Sequence, residues 1–126
     1  MAKQPGARTP TESVEQQCLF RWAAFAQAAH PELRLLCHIP NEGKRSKAAG
    51  ARLKREGLKP GVPDLCLPVA RGKYHGLYIE LKRIGETASK EQEQWIADLR
   101  KQGYAAYVCQ GWDSARRLIE DYLKLG

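Results

Sequence analysis

Between Thr11 and Ala29, apolar side chains recur at three- and four-residue spacing, at Val14, Cys18, Leu19, Trp22, Phe25 and Ala26, which predicts a helix over 12–29. His30-Pro31 ends it, because the residue before a proline is driven out of helical conformation. The short aliphatic run Leu33 to Ile39, closed by Pro40, predicts a strand. The apolar pattern then lapses, and a short basic helix around 46–56, flanked by glycine-containing loops, is expected. Asp64 to Val69 and Gly76 to Lys82 read as two strands joined by the polar turn Arg71-Gly72-Lys73, together a hairpin. Ser89 followed by Gln92 has the spacing of a capping box, and Trp95, Ile96 and Leu99 extend an apolar stripe to Gly103. Tyr104 to Cys109 is a fourth strand. A last helix opens at Asp113 or Ser114, with Ala115, Leu118, Ile119, Tyr122 and Leu123 on one side.

This succession of helices and strands describes a mixed α/β chain, and 126 residues suit one hydrophobic core. Residues 1–10, with Pro5, Gly6 and Pro10 and no periodicity, are expected to form a flexible leader, and residues 11–126 a single domain. No uninterrupted apolar run reaches about 18 residues and no signal-peptide pattern is present, so no membrane partner and a cytoplasmic setting are expected, the host's cytoplasm if the source is viral.

Charge changes the picture further. The chain has 21 Lys+Arg against 14 Asp+Glu, a formal net charge of +7. Such a surplus attracts polyanions, nucleic acid first among them. Much of it lies in 41–61, where Lys44, Arg45, Lys47, Arg52, Lys54 and Arg55 can meet DNA phosphates without reading sequence, the alternative being a solvated helix face. Cys18, Cys37, Cys66 and Cys109 form no Cys-x-x-Cys pair, which argues against a zinc knuckle or redox motif and for buried, reduced structural cysteines.

The chemistry concentrates in Gly61-Val62-Pro63-Asp64 and Glu80-Leu81-Lys82. Strand side chains alternate, so Glu80 and Lys82 project from one face, with Cα atoms about 6–7 Å apart, while Leu81 faces the core. If the two strands pair, Asp64 approaches Glu80. Two carboxylates about 4 Å apart repel by about 4 kcal/mol at an effective dielectric near 20, so the pair calls for a cation or a shared proton. Hard oxygen donors suit Mg²⁺ or Mn²⁺. Lys82 beside them favours its ammonium form and suits a charge-stabilising role. A Glu-x-Lys strand is otherwise a common solvated face with a weak ion pair.

Taken together, Pro63-Asp64 and Glu80-x-Lys82 resemble the PD-(D/E)xK nuclease superfamily. The fuller run, with Glu15 in the first helix, Asn41 after the first strand, Gly57 through Asp64, and Ser89, Gln92 and Trp95 leading the later helix, resembles its virus-type replication-repair nuclease branch, the VRR-NUC domain, over roughly 12–112. The resemblance implies a restriction-endonuclease-like core, a mixed central sheet flanked by helices. It further implies that Asp64 and Glu80 ligate the metal, with the Leu81 carbonyl and Glu15 as further ligands, that Lys82 is the catalytic lysine and that Gln92 lines the site. Glu15 as a solvent-facing helix residue, Gln92 as a cap and Asn41 as an Asx-turn rather than a phosphate contact are the alternatives. By the same analogy the substrate is branched DNA such as four-way (Holliday) junctions or flaps, the setting DNA repair or a phage, and the assembly a homodimer able to cut two strands. A non-catalytic DNA-binding module is the competing class. RNA is a further option, weakened by the lack of paired aromatics on a strand.

Overall fold

The strand Leu77–Lys82 (β3) organises the molecule, because alternate residues Leu77, Ile79 and Leu81 are almost wholly buried and both of its neighbours are strands. Each such side chain contributes roughly 1.5–3 kcal/mol through burial. On one side β3 pairs antiparallel with β2 (Leu65–Leu67), with Leu65 opposite Ile79 and Leu67 opposite Leu77. On the other it pairs in parallel with β4 (Ala105–Gln110), so the connection between them must cross over, and it does so through the helix Lys90–Lys101. The computed structural model describes residues 9–40 and 46–126. Among these, the remaining elements are the helix α1 (Glu12–Ala26), the two-residue strand β1 (Cys37–His38), the basic helix α2 (Lys47–Arg55) and the last helix, Trp112–Leu123; the crossover helix is α3 and the last is α4. The sheet order is β1-β2-β3-β4, which is the mixed, helix-flanked sheet expected of a restriction-endonuclease-like core.

Helices α1 and α4 pack against each other and on β3, and α3 packs on β4. Leu19 and Ala23 of α1 and Ala115 and Ile119 of α4 meet Leu65, Leu77, Ile79, Leu81 and Cys109 in one core. The capping box at α3 forms as its spacing predicts: the Ser89 hydroxyl accepts from the Gln92 N–H at 3.2 Å, and Gln92 Oε1 accepts from the Ser89 N–H at 2.8 Å.

Several expectations are corrected. Helix α1 ends at Ala26 rather than near 29, and it buries Glu15, Leu19 and Ala23, a row four residues apart, whereas Val14 and Phe25 are exposed. Of the apolar stripe read from Val14 to Ala26, Leu19 is fully buried and Trp22 and Ala26 pack against the core, whereas Val14 and Phe25 face solvent. The segment expected as a strand over 33–39 begins as a 3₁₀ turn, Pro31–Leu35, and only Cys37–His38 joins the sheet. Pro31 fixes the φ of a helical first turn, and Leu33 and Leu36 are both buried at the three-residue spacing that turn imposes. Helix α4 opens at Trp112, earlier than expected, behind Gly111 at φ 82. Of the cysteines only Cys109 is buried; Cys37 is exposed, Cys18 and Cys66 are half-buried, and all four are free thiols.

Candidate active site

Asp64 sits where three strands meet. Its backbone carbonyl accepts the Ile39 N–H at 2.6 Å, extending the β1 ladder by one residue, and lies 3.0 Å from His38 Nδ1. Its carboxylate reaches the opposite way and accepts the Leu81 N–H of β3 at 2.9 Å. The side chain is 3% exposed, so a charged group is held by strands on both sides in a single orientation. The preceding loop is fixed with equal care. Gly61 has φ 90, and a Cβ there would stand 2.7 Å from the Glu91 backbone, so only glycine lets the loop lie against the start of α3. Trp95 ties the same loop down by donating its indole N–H to the Pro60 carbonyl at 3.0 Å.

Glu80 and Lys82 lie on β3, two residues apart and therefore on one face. Glu80 is fully buried, and the Lys82 ammonium stands 3.6 Å from its Oε2. Carboxylate oxygens of Asp64 and Glu80 come within 4.8 Å of each other and of a third, supplied by Glu12 in the first turn of α1. Three carboxylates so close, two of them buried, repel unless a cation joins them; Lys82 supplies one positive charge, and the all-oxygen donor set fits a hard divalent ion. On the same face, Tyr78 has its hydroxyl pushed up to about 12, first by burial and then by Cys66, and so remains a neutral hydrogen-bonding group near neutral pH.

The helix acid that enters this group is Glu12, where the sequence singled out Glu15. Glu15 is 4% exposed, but its Oε1 accepts the Trp112 N–H at 3.1 Å. The first residue of α4 follows a glycine, which has no capping side chain, so a carboxylate from α1 performs the capping and meets the positive end of the helix dipole. Gly111 itself, at φ 82, takes a left-handed conformation that favours glycine. Sequence reasoning misses Glu12, although its position one helical turn before the buried Glu15 is the available signal. Gln92 is buried and its Oε1 closes the capping box. Leu81 contributes its N–H to Asp64, as above. Lys47, Arg52, Lys54 and Arg55 are exposed on α2, where Ser46 caps the helix and Arg52 pairs with Glu56 at 3.7 Å. Asn41, Lys44 and Arg45 lie outside the described residues, as do the first eight residues of the expected leader.

The family model of the VRR-NUC domain matches residues 14–113. The chain belongs to the VRR-NUC family. A solved VRR-NUC domain protein is 34% identical, with 95% of this chain and 93% of that one covered at a TM-score of 0.82. Among curated proteins none matches. This is a nuclease family, and the chain brings Glu12, Asp64 and Glu80 into an acidic group that could hold a metal ion. Glu12 lies just before the matched span, whereas Asp64, Glu80, Lys82 and Gln92 fall inside it. No described helix is long and apolar enough to cross a membrane.

Proposed function

We propose that this VRR-NUC chain is an endodeoxyribonuclease that uses Mg²⁺ or Mn²⁺ held by Asp64, Glu80 and Glu12, with the Leu81 carbonyl as a further ligand. The observation that carries the reading is the convergence of three carboxylates within 4.8 Å beside a lysine. When bound, the ion supplies Lewis acidity at the scissile phosphate. The protein's own part is positional and electrostatic. Asp64 is locked by Leu81 and the β1 ladder, so its free oxygen presents a lone pair without reorganisation. Lys82, pinned beside Glu80, places an ammonium where negative charge grows on the phosphoryl oxygens. Gln92, buried at the start of α3 with its carbonyl oxygen committed to Ser89, lines the site from that helix. Lys47, Arg52, Lys54 and Arg55, with Asn41, Lys44 and Arg45 from the preceding segment, hold the DNA backbone.

The family setting favours branched DNA, four-way junctions or flaps, and a homodimer that cuts two strands; with no base-reading motif in the chain, shape rather than sequence selects the substrate. The test is cleavage of labelled duplex, single-stranded, flap and four-way-junction DNA with Mg²⁺, Mn²⁺ or EDTA. Incision that prefers a branched substrate and stops in EDTA is expected. DNA binding without incision of any substrate would instead identify a non-catalytic module, and cleavage unaffected by EDTA would remove the metal from the reading.

A further inference from the structure

Beyond the acidic centre, a cleft of about 390 Å³ lies along the start of β4 and the end of α3, and its walls combine cations with tyrosines: Lys73, Arg100 and Lys101 with Tyr74, Tyr104 and Tyr107. Two of the cations already rest on rings, Arg100 at 5.0 Å from the Tyr107 centroid and Lys73 at 5.5 Å from that of Tyr74. Among the described residues none of the three cations is paired with a carboxylate, in contrast to Arg71, Arg83, Arg116 and Arg117. Arg100 and Lys101 by themselves would be the usual basic last turn of a helix, but Lys73 comes from a separate turn and converges on the same cleft.

Two observations choose the occupant. First, β4 is an edge of the sheet, and its outward Ala106 carbonyl is taken by Arg100 Nε at 2.9 Å, so an added peptide strand finds this acceptor already used. Second, one wall of the cleft touches β3, the strand that carries Glu80 and Lys82. The wall residue Tyr104 meets Tyr78 edge-to-face at 5.4 Å, and Tyr78 shares with Glu80 and Lys82 one face of β3. Alternating positive charge and aromatic faces suit a nucleic-acid strand whose bases are unstacked, since phosphates seek the cations while any base can stack on the rings.

We propose that this cleft is a second DNA-binding place, which takes an unstacked base and its flanking phosphates from the DNA that the same molecule binds. It rests on the nuclease reading above and adds a preference for DNA with a single-stranded or distorted arm. The test measures the affinity of a labelled short oligothymidylate by fluorescence anisotropy in EDTA, for the unmodified protein, for Lys73→Gln/Lys101→Gln and for Tyr107→Ala. In parallel, the same proteins with Mg²⁺ hydrolyse the small diester thymidine 5′-(p-nitrophenyl phosphate), which is too short to span both places. The lysine pair should weaken the oligonucleotide on the order of tenfold and lower its salt slope by about 0.7 for each phosphate no longer neutralised, and Tyr107→Ala should weaken it by a similar factor with the slope kept. Hydrolysis of the small diester should be unchanged. Equal affinities and slopes in all three proteins overturn the proposal and leave the nuclease reading standing, and tighter binding of an oligouridylate overturns the assignment to DNA. Absence of diester hydrolysis in every protein counts against the nuclease reading alone, because the binding arm still decides this one.

Discussion

The acidic centre and the basic helix α2 carry opposite charges and are built on opposite principles. Asp64 and Glu80 are 3% and 0% exposed, and Asp64 is fixed by hydrogen bonds from two different strands. No residue of α2 is buried, and its cations project into solvent from a helix that packs only lightly on the rest of the fold. A buried charge in a fixed place costs stability and gains electrostatic strength from its low-dielectric surroundings, which is what a reacting phosphate needs. Exposed cations on a helix cost little and act collectively at long range, which is what holding a polyanion needs. Substitutions in the first region should therefore be individually decisive, and in the second individually weak.

The largest effect belongs to Asp64→Asn and Glu80→Gln. Either removes one carboxylate charge from the acidic cluster while keeping the shape, and on the proposed mechanism either should lower the DNA cleavage rate on the order of a thousandfold or more, with DNA affinity retained. Single-turnover cleavage and binding measured side by side check this. Cleavage within a few-fold of the unmodified protein would erase the contrast between the two regions.

Glu12 and Glu15 sharpen it, because two acids one turn apart on α1 are assigned different work. Glu12→Gln should weaken Mg²⁺ or Mn²⁺ binding by roughly ten- to a hundredfold and shrink the rise in Tm that saturating metal produces. Glu15→Gln should leave metal affinity alone and lower stability by about 1 kcal/mol through loss of the charged cap on α4. Titration calorimetry with metal and denaturant unfolding without it separate the two; the reverse pattern would return the ligand role to Glu15.

That pair also marks the limit of what the sequence made legible. The hairpin, the capping box of α3, the basic helix and the proximity of Asp64, Glu80 and Lys82 all follow from local rules of alternation, spacing and capping, and the structure contains each of them. Which acid of α1 meets Asp64 is not a local matter. Residues 12 and 15 share one side of the helix, and only the docking of α1 against α4 decides that the later one ends on the Trp112 N–H. The same holds for the helix start behind Gly111, whose cap comes from 97 residues away. The 3₁₀ turn at Pro31–Leu35 was hidden for another reason: a short aliphatic run has no period long enough to separate a strand from a tight helix.

Gly61 tests how far the rigidity of the acidic centre extends beyond its charges. At φ 90, with the Glu91 backbone 2.7 Å from where a Cβ would stand, Gly61→Ala should cost about 1–3 kcal/mol and displace the loop leading to Asp64. Unfolding by urea with and without metal measures it. A stability loss that metal does not offset, together with reduced metal affinity, is expected, whereas an unchanged protein would show that the loop is not fixed by this packing.

The smallest effects belong to α2. Replacing Lys47, Arg52, Lys54 and Arg55 singly by Gln should weaken DNA binding only a few-fold each, and replacing all four should flatten the dependence of log affinity on log salt by about 0.9 for every duplex phosphate they neutralise. Cleavage at saturating DNA should stay near that of the unmodified protein, because none of these side chains is buried beside the reacting groups. Anisotropy titrations across a range of salt concentrations provide the slope. An unchanged slope in the fourfold variant would make α2 an ordinary solvated helix and shift the burden of holding DNA to the segment before it and to the cleft beside β4. A steep loss from one substitution would mean that a single α2 cation acts as a fixed ligand to one phosphate, the mode of action otherwise confined to the buried centre.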